Sequence, residues 1–220
     1  MARYGMAIDI NRCFGCHACE AACKVANNLP KGIVYNVVYT KNDSNRDTLG
    51  IAAVRGAMAN DNAGGEFPNC TLSFLPVQCQ HCAEPACLDV CPTGATSKDA
   101  DTGIVSVDSE LCIGCESCIK ACPYEGVRTL ITSPEYYLDV VVGEYDAPPH
   151  KAGTVEKCTF CKNLIDRGEV PACMQLCPGR ARYWGDLDDP ESDVSKAIEG
   201  RETMFLREEA GTKPSVYYLQ

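Results

Sequence analysis

Cysteine placement constrains this chain more than any other feature. Seventeen of its 220 residues are cysteine, and sixteen of them fall into four groups of four. Cys13, Cys16, Cys19 and Cys23 are spaced C-x2-C-x2-C-x3-C. Cys79, Cys82, Cys87 and Cys91 follow C-x2-C-x4-C-x3-C-P, and Cys112, Cys115, Cys118 and Cys122 follow C-x2-C-x2-C-x3-C-P. Cys158, Cys161, Cys173 and Cys177 follow C-x2-C-x11-C-x3-C-P. Pro92, Pro123 and Pro178 close three of the runs and fix φ there, whereas Lys24 follows the first. Cys70 stands outside the groups.

This spacing suits a compact polynuclear centre. Three thiolates in a C-x2-C-x2-C loop wrap one face of a cubane, and the fourth, starting a short helix, points to a neighbouring cluster. A disulfide framework needs an oxidising compartment and does not repeat one spacing four times. Structural zinc favours two C-x2-C pairs across a longer loop, which leaves the third cysteine and the trailing C-P without a role. The repeat therefore predicts four [4Fe–4S] clusters with all sixteen cysteines on iron. His17 and His81 lie inside runs that already have four cysteines, so both are expected outside the ligand set, at the surface or behind the ligands.

Exchange of the fourth cysteine predicts which groups pair. The second and third motifs are separated by a ferredoxin-like interval. Their expected clusters are Cys79, Cys82, Cys87 with Cys122, and Cys112, Cys115, Cys118 with Cys91. The first and fourth motifs then pair across the chain: Cys13, Cys16, Cys19 with Cys177, and Cys158, Cys161, Cys173 with Cys23. The expected fold is α+β, with two ferredoxin-like units: residues 1–30 plus 150–185, and residues 70–130. Insertions cover 31–69, with a turn-rich stretch at 60–65, and 131–149; residues 186–220 form a C-terminal docking tail. Alternation predicts short strands at 6–13 and 103–108, the second after a turn at 99–103. A helix is expected near 20–28, another near 192–199, and an extended segment at 211–219. Gly15 and Gly114 suit close backbone approach within their loops. Tyr124 and Trp184 follow ligand motifs and are expected to pack against clusters.

Composition narrows the function. A formal net charge of −10 argues against nucleic-acid binding. Hydrophobic residues at 45% and charged residues at 23% are usual for a folded chain. The longest apolar runs, such as 138–142, fall far short of the ~20 residues of a membrane-spanning helix. The opening MARYGMAIDI has neither an apolar h-region nor a twin-arginine pair. A membrane link or export is therefore expected only through a partner.

The stretches MAIDINRCFGCHACEAACK, VQCQHCAEPACLDVCPTGA, DSELCIGCESCIKACPYEGVR, EKCTFCKNLIDRGEVPACMQLCP and ARYWGDLDDPES resemble the four-cluster iron–sulfur subunits of the dimethyl sulfoxide reductase family of molybdenum or tungsten oxidoreductases. They cover somewhat under half of the chain. The resemblance implies the same nested pairing and no catalytic residues of the chain's own. It implies a large molybdopterin catalytic subunit as partner, and relay of single electrons to a membrane quinone-linked subunit, a cytochrome or a soluble carrier. It implies a location in the cytoplasm, or export in folded form with a partner bearing the twin-arginine signal. A free soluble polyferredoxin is the alternative; the insertions and tail favour a fixed partner. Lys24, Lys120, Lys157, Lys162, Arg180 and Arg182 lie near ligands, where a cation raises a cluster's potential. Arg182, within the family-like stretch, is the one expected to tune a cluster or aid docking.

Overall fold

The computed structural model describes residues 2–41, 66–69 and 73–220. Cys70 and the expected turn-rich stretch at 60–65 lie outside the described residues. The fold is a mixture of short helices and strands joined by much irregular backbone.

The main sheet is built on β1 (Tyr4–Asp9). This strand pairs in parallel with β10 (Val216–Leu219) and antiparallel with β8 (Arg182–Asp186); β9 (Thr203–Met204) extends the far side of β10. Met6, Ala7 and Ile8 are all fully buried, because β1 is covered on both faces. Met6 and Ile8 join the largest core, and Ala7 packs with Val194 and Leu219. Val194 belongs to α6 (Asp193–Ile198), whose start is capped by the Ser192 hydroxyl accepting from the Ser195 N–H at 3.2 Å. The expected helix near 192–199 and the extended segment at 211–219 are thus parts of the body around β1.

Three two-stranded ladders complete the β structure: β2 (Asn36–Lys41) with β3 (Ser73–Gln78), β4 (Thr96–Lys98) with β5 (Val105–Val107), and β6 (Arg128–Ile131) with β7 (Thr154–Lys157). The turn between β4 and β5 is held by Asp99, whose Oδ1 accepts from the N–H groups of Asp101 and Thr102 at 2.8 and 3.1 Å. The helices α1 (Ala18–Ala26), α2 (Ala86–Asp89), α3 (Ser117–Lys120) and α5 (Ala172–Gln175) each carry the third cysteine of one motif, and α1 also carries Cys23. A further helix, α4 (Lys162–Asp166), starts directly after Cys161.

Strand register places the motifs. In the β1–β8 ladder Ile8 faces Arg182. Cys13 follows Ile8 by five residues and Cys177 precedes Arg182 by five, so antiparallel pairing brings the first and last motifs to one end of the sheet. The β4–β5 ladder repeats this arrangement. Thr96 faces Val107, with Cys91 five residues before and Cys112 five residues after. Among the described residues, no helix is long and apolar enough to cross a membrane.

Candidate metal centres

The leading C-x2-C pairs of the four motifs share one backbone feature. The residue before the second cysteine has left-handed φ: +69° at Gly15, +43° at His81, +67° at Gly114 and +55° at Phe160. Such residues let successive N–H groups face a common anion. The Phe160 N–H donates to Cys158 Sγ at 3.3 Å, and the Gly15 N–H bonds Cys13. Glycine satisfies this at two of the positions. His81 and Phe160 hold the same conformation with a Cβ, and their rings stack with centroids 3.7 Å apart.

Cavity lining and electrostatic coupling link cysteines within the four expected sets. Cys13, Cys16, Cys19 and Cys177 line one narrow apolar cavity, closed by Phe14, Val38 and Pro76. Burial, and then the thiolates of Cys158, Cys161 and Cys173, push the Cys23 thiol well up. Burial raises Cys122 to about 12; the Tyr124 N–H opposes this, while Cys79 and Cys87 add to it. Burial also raises Cys82, again with help from Cys79 and Cys87. Cys118 is raised by burial and by Cys112 and Cys115, against the pull of Arg128. The exposed Cys115 is lowered by Ser117 and feels Cys91 in the opposite sense. Cys91 itself is brought down to about 7, because bonds from Thr96 and Thr93 outweigh its desolvation. Among the described residues, no three His, Cys, Asp or Glu side chains converge on a single-ion site.

Electrostatic coupling between thiols of different sets links them. Cys87 feels Cys118, Cys158 feels Cys79, and Cys173 feels Cys19. This coupling links the third-motif set to the second, the second to the fourth, and the fourth to the first. Of the sixteen thiols only Cys16 and Cys115 are exposed, one in each terminal set.

The donor chemistry around these sulfurs fits anionic iron–sulfur clusters. Backbone N–H groups of Thr96, Val155 and Ala181 each donate at 3.4 Å, to Cys91, Cys112 and Cys177 respectively. Asn27 Nδ2 reaches Cys23 Sγ at 3.6 Å and Cys161 Sγ at 3.9 Å. Arg128 Nη2 donates to Cys87 Sγ at 2.8 Å, while its buried Nη1 has no hydrogen-bond partner among the described residues. Arg182 Nη1 approaches Cys173 Sγ at 3.6 Å, and its Nη2 donates to Asn36 at 2.9 Å. Burial works against both guanidinium charges. The thiolates of Cys79, Cys87, Cys118 and Cys122 nevertheless raise Arg128, and those of Cys173 and Cys19 raise Arg182. An unpaired buried cation is costly, so these side chains suit a negatively charged neighbour.

The remaining sequence candidates divide between the surface and the core. Lys120 and Arg180 are exposed, Lys162 pairs with Asp166 at 2.6 Å, and Lys24 donates to the Pro30 carbonyl at 2.7 Å. His17 is exposed beside Glu20 at 3.2 Å, whereas His81 is fully buried. Tyr124 is buried beside Cys82 and Cys122 with its hydroxyl 2.6 Å from that of Thr212, and Trp184 stacks on Tyr4 at 5.3 Å. Sequence reasoning missed Arg128 and Asn27. Arg128 sits six residues beyond Cys122, and nothing in its local pattern marks it as buried.

Donors turned towards thiol sets make this a ferredoxin-like 4Fe–4S protein. The 4Fe-4S dicluster domain family matches residues 70–134 and 144–187, and a 4Fe-4S binding domain matches 10–26. A putative dimethyl sulfoxide reductase iron–sulfur subunit of Halobacterium salinarum is 39% identical over 219 residues, covering 100% of this chain and 79% of its own. A selenate reductase subunit of Mesobacillus selenatarsenatis is 38% identical, covering 97% and 70%. The iron–sulfur subunit of the arsenate respiratory reductase of a Shewanella species is 34% identical, covering 99% and 96%. The chain belongs to the iron–sulfur (beta) subunit family of the dimethyl sulfoxide reductase type of molybdopterin oxidoreductases.

Proposed function

We propose that this chain relays single electrons between a molybdopterin (Mo or W) catalytic subunit and a membrane quinone-linked or soluble redox partner, and has no catalytic site of its own. Four [4Fe–4S] clusters, when bound, accept and pass on one electron at a time. The first would be held by Cys13, Cys16, Cys19 and Cys177, and the second by Cys79, Cys82, Cys87 and Cys122. The third would be held by Cys112, Cys115, Cys118 and Cys91, and the fourth by Cys158, Cys161, Cys173 and Cys23. Residues 1–30 with 150–185 would form one ferredoxin-like unit, and residues 70–130 the other. Any membrane contact would be made through a partner, such as an anchor subunit or cytochrome.

The observation that carries this reading is that Cys16 and Cys115, in different motifs, are the two exposed thiols of the sixteen; the electrostatic coupling third–second–fourth–first supports a row between them. A row with two exposed ends suits a relay between two partners better than storage. The chain's own residues turn N–H groups and cations towards the sulfurs, and so offset a charge of roughly −2 per cluster.

The test is a metal count on the native complex, purified without air through a tag on this chain. About sixteen irons per copy, four for each of four clusters, are expected, with about one molybdenum or tungsten in a larger co-purifying chain. About sixteen irons with neither a second chain nor those metals would instead establish a free polyferredoxin.

A further inference from the structure

Three buried cations lie along the row of thiol sets, and none forms an ion pair with a carboxylate among the described residues. Arg128 stands between the second and third sets: its Nη2 donates to Cys87 Sγ at 2.8 Å, and its charge acts on Cys118. Lys157 stands between the second and fourth. Its Nζ donates to the carbonyls of Val105 and Cys158, the latter at 2.8 Å, and its charge acts on Cys87. Arg182 stands between the fourth and first: its Nη1 lies 3.6 Å from Cys173 Sγ, and its guanidinium also bonds Cys19. Each of the three is at most 5% exposed.

The placement is not what packing alone would select. Arg128 and Lys157 face each other directly in the β6–β7 ladder. Like charges opposite one another destabilise a sheet, and burial removes the water that would screen them. The thiol sets on either side are the negative charge that this pair faces.

We propose that Arg128, Lys157 and Arg182 each fix the reduction potentials of the two clusters they stand between, one cation per step of the row. The inference rests on the cluster sets proposed above. A reduced cluster carries one more negative charge than an oxidised one, so a fixed positive charge nearby raises its potential. In a low-dielectric interior that influence reaches beyond the sulfur in contact. A cation shared by two neighbours raises both together and so leaves the difference between them little changed.

The test is an EPR-monitored redox titration of the purified complex, with signals assigned through Cys→Ser variants of each set. Arg128→Gln is expected to lower the second and third potentials and leave the others in place. Lys157→Gln should lower the second and fourth, and Arg182→Gln the fourth and first. Arg128→Lys, Lys157→Arg and Arg182→Lys should keep the parental values. A shift confined to one cluster, spread equally over all four, or absent in variants with full iron would overturn the proposal. Should a Gln variant lose iron, retention by the matching charge-conserving variant supports the role of charge, and loss in both overturns it. A parental complex without about sixteen irons would instead sink the cluster assignment beneath it.

Discussion

Cys122 lies in the third motif by sequence, yet the thiols acting on it are Cys79 and Cys87 of the second. Cys122→Ser is therefore expected to perturb the cluster of Cys79, Cys82 and Cys87 and to spare that of Cys112, Cys115 and Cys118. EPR on the variant complex reads the difference, and loss of the third-motif cluster instead would refute the exchange. A second residue-scale prediction concerns His150. Its Nδ1 lies 2.6 Å from Glu156 Oε2, which also accepts from the Tyr35 hydroxyl at 2.6 Å, and its Nε2 lies 2.8 Å from the Asn27 carbonyl. Both ring nitrogens thus face acceptors, which suits the doubly protonated ring. Burial lowers the pKa of His150, but Glu156 and Asn27 outweigh it and raise it above its ordinary value of about 6.5. A group with a raised folded-state pKa stabilises fully below its unfolded value and loses that contribution as pH rises through the folded one. The melting temperature of the parent minus that of His150→Gln should therefore shrink as pH rises from about 6.5. A difference that stays constant over that range would remove the charge from the account.

At the scale of elements, the two C-x-G-C loops test how much strain each motif tolerates. A Cβ on Gly114 would stand 2.4 Å from the Gly153 carbonyl, at φ +67°. A Cβ on Gly15 would meet the Phe74 ring at 2.3 Å, at φ +69°. The backbone strain is alike, at about 1–3 kcal/mol. The obstacles differ, because a phenyl side chain can shift and the strand-linked carbonyl cannot. Gly114→Ala should lower the melting temperature more than Gly15→Ala and drop iron towards about twelve per chain, the third cluster being lost. Equal melting and full iron in both would contradict this. The same loops show what the sequence made legible. Four spacings and two glycines mark the turns, and apolar alternation marks β1 and β5. The left-handed φ at His81 and Phe160 is hidden, because no glycine marks either position; their rings stack on one another there. The parallel pairing of β1 with β10 is hidden too, since alternation marks a strand but not its partner. Arg128 and Lys157 look like surface charges until the β6–β7 register sets them face to face inside the protein.

For the molecule as a whole, the clusters' expected sites are also its core. The largest buried group contains Cys19, Cys23, Cys79, Cys82, Cys158 and Cys173 beside Met6, Leu75 and Tyr218. Burial raises Cys23, Cys82, Cys158 and Cys173, so without metal these thiols stay protonated and make only weak hydrogen bonds. Arg128, Lys157 and Arg182 would then be buried with no counter-charge, and an uncompensated buried ion costs several kcal/mol. Three such ions together match or exceed the whole stability of an ordinary domain, about 5–15 kcal/mol. The hydrophobic core cannot absorb that, because its helices are mostly four or five residues long and its ladders mostly two-stranded. Metal binding and folding are therefore expected to be coupled. Iron removed from the purified chain by oxidation and chelation should abolish both the near-UV circular dichroism of the fold and any cooperative thermal transition. Anaerobic reconstitution with iron and sulfide should restore both. A cooperative transition in iron-free protein would show that the polypeptide holds three buried cations by some other means, and would count equally against the thiol sets as their partners.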